Sequence, residues 1–252
     1  AIDFHEFGFY GVTEDGYMRN ADDLQVTPAT SLNDDERVTQ LGLDAVDTLH
    51  RNAEDSGLRV YHYGITVNNP IGRAYYGLYN SLSVLVETRG IGAGATNFER
   101  RVYSQQLSAH SIIDYAVAND DAINEAVADA RLQVIADGEA FNSDDIVVLH
   151  QVASGATQSA TPLTRYQYSV DGSDTKTSSA TLAINDTVVR SRIRPTAYVI
   201  PKDIPNAEKI LYILDNQGAE YYELAPGSTA NLKQYYYVGE YTYEGSSKGF
   251  TA

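Results

Sequence analysis

The sequence has no cysteine. It therefore holds no disulfide and offers no thiolate to a metal, and any zinc or other transition-metal site must be built from His, Asp and Glu. Positive charge is scarce: 18 Lys and Arg stand against 34 Asp and Glu, a net charge of −16 with a pI near 4.5. That balance argues against non-specific nucleic-acid binding, which needs clustered basic side chains to neutralise phosphates. The acids are scattered rather than blocked, as on a solvated surface. No run approaches the ~18 apolar residues of a membrane span. No basic-then-apolar leader is present either, which leaves the compartment open. The chain also lacks a GxSxG nucleophile turn, a P-loop, a GxGxxG fingerprint, any internal repeat and any low-complexity tract; the GIGAG at 90–94 lacks the final glycine spacing.

What is present supports a folded protein. A hydrophobic fraction of 43% over 252 residues allows a sizeable core in one large domain or two ordinary ones. Ala1-Ile2-Asp3-Phe4 has the pattern of a strand that runs out at His5-Glu6. Residues 11–32, rich in Asp, Asn, Thr and Pro, suggest a long loop. Asn33-Asp34-Asp35-Glu36 has the pattern of a helix start with Asn33 as N-cap, and Val38, Leu41, Ala45 and Leu49 make one helical face closed by Gly57. Leu58 to Tyr63 suggests a short strand, and Gly64 to Asn80 a second long loop. Ser81 to Val86 is a buried-strand pattern ending in Glu87-Thr88-Arg89-Gly90. Two helices follow, one capped by Asn97 with Val102, Ala109, Ile113 and Ala116 on one side, the other carrying Ile123, Ala126, Val127, Ala130 and Val134 up to Gly138.

Residues 1–138 thus alternate strand and helix, as an α/β layer does. Residues 139–252 suggest a second, mostly β domain. Its expected strands cover Asp145–Val152, Leu163–Val170, Ser179–Val189, Thr196–Ile200 and Gln234–Tyr243, with one short helix over Ala207–Gln217. Its tail is tyrosine-heavy, at Tyr235, Tyr236, Tyr237, Tyr241 and Tyr243, which suits either a half-buried strand edge or a stacking platform for sugars or bases.

Chemistry in α/β sheets gathers at the carboxyl ends of strands. Two stretches put ionisable groups there: DFHEF and SVLVETRG. A carboxylate after Val84-Leu85-Val86 is partly desolvated, which moves its pKa toward general-base range, unless Glu87 is simply paired with Arg89. His5 is either a metal ligand or an ordinary strand-end histidine. Of the other histidines, His50, His62, His110 and His150, none pairs with another at metal-ligand spacing. HRNAE at 50–54 places His50 and Glu54 four apart, one residue more than a His-x-x-Glu pair.

Taken in order, DFHEF, GRAYYGLYNSLSVLVETRG and NFERRVYSQQLSAHSII resemble the C-terminal half of the M14 zinc carboxypeptidase family. AYVIPKDIPNAEKILYILDNQGAEYYEL is similar to the β-rich extension of its bacterial members. The most specific piece is LVETRG followed at once by the FERRV helix. The resemblance implies an α/β fold: the C-terminal part of a mixed-sheet carboxypeptidase-like domain, then a mostly β domain. It implies a peptide substrate, one zinc ion, His5 as a zinc ligand and Glu87 as the general base acting on a zinc-activated water. It implies a mobile tyrosine before the glutamate strand, with Tyr63, Tyr75 and Tyr76 as candidates, and it makes Arg73 a candidate for a substrate carboxylate. It also implies export to a secreted or periplasmic location.

The departure from the family pattern is equally specific. Its other two zinc ligands form a His-x-x-Glu pair upstream of the third histidine, and no such pair occurs here. A catalytic zinc needs about three protein ligands. The expectation is that the chain alone is inactive and that a separate chain or missing segment carries the upstream half of the site. Uncovered apolar surface and poor solubility should accompany that state. Two alternatives stay open: a deacylase of N-acyl amino acids, and a non-catalytic peptide- or glycan-binding module on a peptidase-like scaffold.

Overall fold

A computed structural model describes residues 1–8, 11–18, 22–62, 71–90, 94–152, 163–171, 173–180, 187–225 and 227. The elements follow in the order β1 (Ile2–Phe7), β2 (Tyr17–Met18), β3 (Leu24–Pro28), α1 (Glu36–Asp55), β4 (Val60–His62), α2 (Gly72–Gly77) and β5 (Val84–Arg89). Then come α3 (Phe98–Ala118), α4 (Asp120–Glu139), β6 (Ile146–Val152), β7 (Leu163–Ser169), β8 (Thr175–Ala180), β9 (Thr187–Ile193) and α5 (Ala207–Asn216).

Four strands form a mixed sheet in the order β1-β5-β3-β4. β1 is parallel to β5, β3 is antiparallel to β5, and β4 is parallel to β3. The class is α/β, as the alternation of patterns implies. β3 overturns the expectation of one long loop over 11–32. Its five residues are all buried between two neighbours, Gln25 and Thr27 included. Two aspartates ahead of it and a closing proline give LQVTP the look of a turn. Pro28 is tolerated because it ends the strand. β5 also runs further than its apolar run suggests, so Glu87 lies inside the strand.

Leu24 and Val26 of β3 and Val84 and Val86 of β5 share one face of the sheet, where Val46, Leu49 and Ala53 of α1 and Ile112 of α3 close the core. Each Val, Leu and Ile among them contributes roughly 1.5–3 kcal/mol on burial. α1 starts two residues later than expected. Asp35 is the N-cap, accepting from the backbone N–H of Arg37 at 2.9 Å and of Val38 at 3.2 Å. Asn33 instead exchanges two 2.8 Å bonds with the backbone of Val148. Gly57, at φ +80°, ends α1; its N–H bonds to the Glu54 carbonyl and that of Leu58 to Ala53. This is a Schellman closure, with Ala53 and Leu58 both in the core.

α3 turns a different face inward from the one its apolar residues suggest. Val102 and Ile113 are 48% and 52% exposed, while Ser104, Ser108, Ser111 and Ile112 are buried. Small hydroxyl side chains let α3 approach closely, and their polar groups are satisfied. Ser104 Oγ meets Thr88 Oγ1 at 2.6 Å, Ser108 donates to the Ser104 carbonyl, and Asn52 of α1 donates to Ser111 Oγ. Asn97 precedes α3 at φ +53° and makes no side-chain cap bond. α4 packs Ala126 and Ala130 against Val38.

The strand-rich stretch after residue 138 supplies β6–β9 to two further antiparallel sheets, β6-β9 and β2-β7-β8, the second completed by β2 from the first part of the chain. The strand expected over Ser179–Val189 is split between β8 and β9, with 181–186 outside the described residues. Thr196–Ile200 has no strand, in keeping with Pro195 before it and Pro201 after it. α5 agrees with the expected helix, and Gln234–Tyr243 with its tyrosines lies outside the described residues. The chain groups into two units, Ala1–Arg194 and Pro195–Ala252.

Candidate active site

Residues paired in register on neighbouring strands point to the same side of a sheet, and the side alternates along each strand. His5 stands opposite Glu87, Asp3 opposite Leu85, and Gln25 of β3 also opposite Glu87. Asp3, His5, Glu87 and Gln25 therefore share the face turned away from the α1–α3 core. The two residues singled out from separate stretches of sequence, His5 and Glu87, are neighbours on it.

Glu87 is half-buried. Burial pushes its carboxyl above the ordinary carboxylate range, the nearby His5 and Arg73 pull it back, and Asp3 adds a smaller upward push. Its expected partner Arg89 is turned to Asp23 instead. Arg73 is no ordinary surface arginine: on α2 it is 1% exposed. His5 is held by a residue that the sequence reading passed over. Its Nε2 lies 2.8 Å from Asp3 Oδ1, and Asp3 Oδ2 accepts from the Arg73 backbone N–H at 3.1 Å. The signal was there, because Asp3 and His5 are two apart on a strand and so share a face.

Beyond Glu87, toward the end of β5, Asp23 gathers three arginines. Arg59 grips it with two 2.7 Å bonds, Arg100 reaches it at 2.7 Å, and Arg89 at 3.3 Å. Burial alone would raise the Asp23 pKa, but the bonds from Arg59 and the charges of Arg59 and Arg100 overcome it and hold the carboxyl below its usual range. The clamp joins the entries of β3 and β4 to the end of β5 and the start of α3. Sequence separations of 36, 66 and 77 residues hide it from any local pattern.

Of the remaining candidates, Tyr63 lies outside the described residues. Tyr75 and Tyr76 are 42% and 49% exposed on α2, and the Tyr75 hydroxyl lies 3.3 Å from that of Tyr79. A shallow groove of about 470 Å³, lined by Phe4, Glu6, Phe98, Arg101 and Val102 among others, runs along the opposite face of β1 from His5. His50 and His62, distant in sequence, meet edge-to-face in the core at 5.2 Å between ring centres, with Glu54 3.2 Å from His50. Among the described residues no three His, Asp or Glu side chains converge to hold a metal ion.

Comparison with known proteins places these features in context. The chain is 28% identical over 267 residues to "Probable carboxypeptidase 2" of Trichophyton verrucosum, covering 97% of this chain and 49% of that protein. It is likewise 28% identical to carboxypeptidase 2 of Trichophyton equinum, covering 97% and 47%, and 27% identical to that of Trichophyton rubrum, covering 95% and 44%. The sequence is carboxypeptidase-like along nearly its whole length. It spans about half the length of these relatives. No protein-family model and no solved structure matches it. No described helix is long and apolar enough to cross a membrane.

Proposed function

We propose that this chain carries the glutamate half of an M14-type zinc metallocarboxypeptidase site, in an exported enzyme that hydrolyses the C-terminal amide bond of peptides. The observation that carries the reading is the in-register placement of His5 beside Glu87 on one sheet face, in a chain whose relatives are named carboxypeptidase. Glu87 is the general base: its partly desolvated carboxylate takes a proton from the attacking water and returns it to the leaving amine. His5 supplies one metal ligand. Zinc, when bound, would polarise the scissile carbonyl and lower the pKa of water toward about 7. The remaining ligands come from a partner chain or segment carrying a His-x-x-Glu pair. Among the described residues β1 is the end strand of its sheet, the edge at which such a partner would pair.

The test is zinc content by elemental mass spectrometry and release of C-terminal residues from a peptide. Both are measured on the 252-residue chain alone and on a longer product in which a segment carrying a His-x-x-Glu pair is joined to it. The chain alone should hold well under one zinc and release nothing. The longer product should hold one zinc and be active, and Glu87→Gln in it should lower kcat by roughly 10²–10⁴-fold with zinc retained. A full zinc on the shorter chain, or an unimpaired Glu87→Gln, would overturn the reading.

A further inference from the structure

Asp3 is bonded on both carboxylate oxygens, and its two partners belong to different parts of the site. Oδ1 meets the imidazole of His5 and Oδ2 takes the backbone N–H of Arg73 at the start of α2. A carboxylate only accepts hydrogen bonds, so in the neutral imidazole the hydrogen must sit on Nε2, leaving the lone pair on Nδ1. Second-sphere carboxylates of this kind orient a ligating ring and set its tautomer. The contact with α2 is equally constrained. A Cβ on Gly72 would lie 2.7 Å from Asp3 Oδ2, so only glycine lets the helix start come this close. Arg73, which follows Gly72, is the buried cation beside Glu87.

We infer that Asp3 is a positioning residue that couples the two halves of the site: it presents Nδ1 of His5 as the metal-binding atom and seats α2 so that Arg73 lies beside Glu87. Its catalytic meaning rests on the proposed hydrolase reading, but the coupling itself does not. Losing such a partner lowers metal affinity by about 10–100-fold in comparable sites.

The experiment is nitrogen-15 NMR of the metal-free chain, reading the His5 tautomer and the exchange protection of the Arg73 amide. The wild type should show the Nε2–H form and a protected Arg73 amide. Asp3→Asn, which is nearly isosteric, should give mixed tautomers and at least a tenfold loss of protection at Arg73. Gly72→Ala, whose Cβ would press on the Asp3 carboxyl group from 2.7 Å, should shift that carboxylate and so disturb the His5 tautomer and the Arg73 amide together. An Nδ1–H ring in the wild type, or an unchanged tautomer in Asp3→Asn, would overturn the inference. Because no metal is present, these results stand whether or not the longer product proves to be a peptidase. There, a tenfold or greater loss of zinc affinity in Asp3→Asn should accompany the tautomer change.

Discussion

Asp23 is the residue whose loss the structure should feel most. Its side chain is 5% exposed and holds Arg59, Arg89 and Arg100 together. Breaking a buried ion pair from one side leaves uncompensated charge, at a cost of about 3–5 kcal/mol. Asp23→Ala should lower the urea midpoint accordingly with the m-value unchanged; a shift under about 1 kcal/mol would mean the arginines find water instead. The single residues of the site differ in how far sequence disclosed them. His5 and Glu87 come in a recognisable order of motifs, although both lie inside their strands rather than at the ends. Asp3 needed only the two-residue period of a strand to be linked to His5. Asp23 could not be found in that way, because its partners come from three other elements.

At the scale of elements, α3 is the case where local pattern and packing disagree. The apolar residues Val102 and Ile113 lie on its outer side and a run of serines lies on its inner side. Two neighbouring residues make the test. Ile112, 3% exposed in the core, should cost about 2–5 kcal/mol on Ile112→Ala. Ile113, 52% exposed, should stay within about 0.5 kcal/mol on Ile113→Ala. Equal losses in thermal unfolding would reverse the assignment of faces. Helix existence was legible here because it needs only propensity and length. The buried face was not, since serines read as polar until Thr88 and Asn52 are seen to meet them. β3 escaped for a related reason. A strand buried by its neighbours can carry Gln25 and Thr27 inward, and no rule of composition distinguishes that from a loop. α1, with its cap, stripe and closing glycine, was almost wholly legible.

Two buried groups carry large pKa shifts with opposite consequences for stability. Burial, with a smaller push from His50, lowers the His62 pKa from 6.5 to about 4. α1 packs on β4 with His50 against the ring and Glu54 3.2 Å from His50 in turn, and β3 presents Val26 beside it. The unfolded chain therefore takes up this proton first, and stability from His62 is lost as pH falls from 6.5 toward 4. Burial likewise raises Asp34 from 3.8 to about 7 against only a backbone bond from Ser31. Here the folded state holds the proton longer, so stability is lost as pH rises from 3.8 toward 7. Between about pH 4.5 and 6 the two slopes oppose each other and the wild type should be nearly flat from these groups. Asp34→Asn should expose the acid loss, on the order of 3 kcal/mol across the window, and His62→Phe the alkaline loss of similar size. Denaturation midpoints at four or five pH values check this; parallel curves for all three proteins would refute it.

The arginine clamp also carries a consequence in time. Its bonds span 36, 66 and 77 residues of chain, and each requires elements that are already side by side, two of them strands and the third α3. Long-range contacts of this kind are expected to form late, after the transition state. They govern how long the native state survives rather than how fast it forms. Asp23→Asn should therefore leave the refolding limb of the chevron in place and raise the unfolding rate, so that the clamp acts as a latch on the site-bearing sheet.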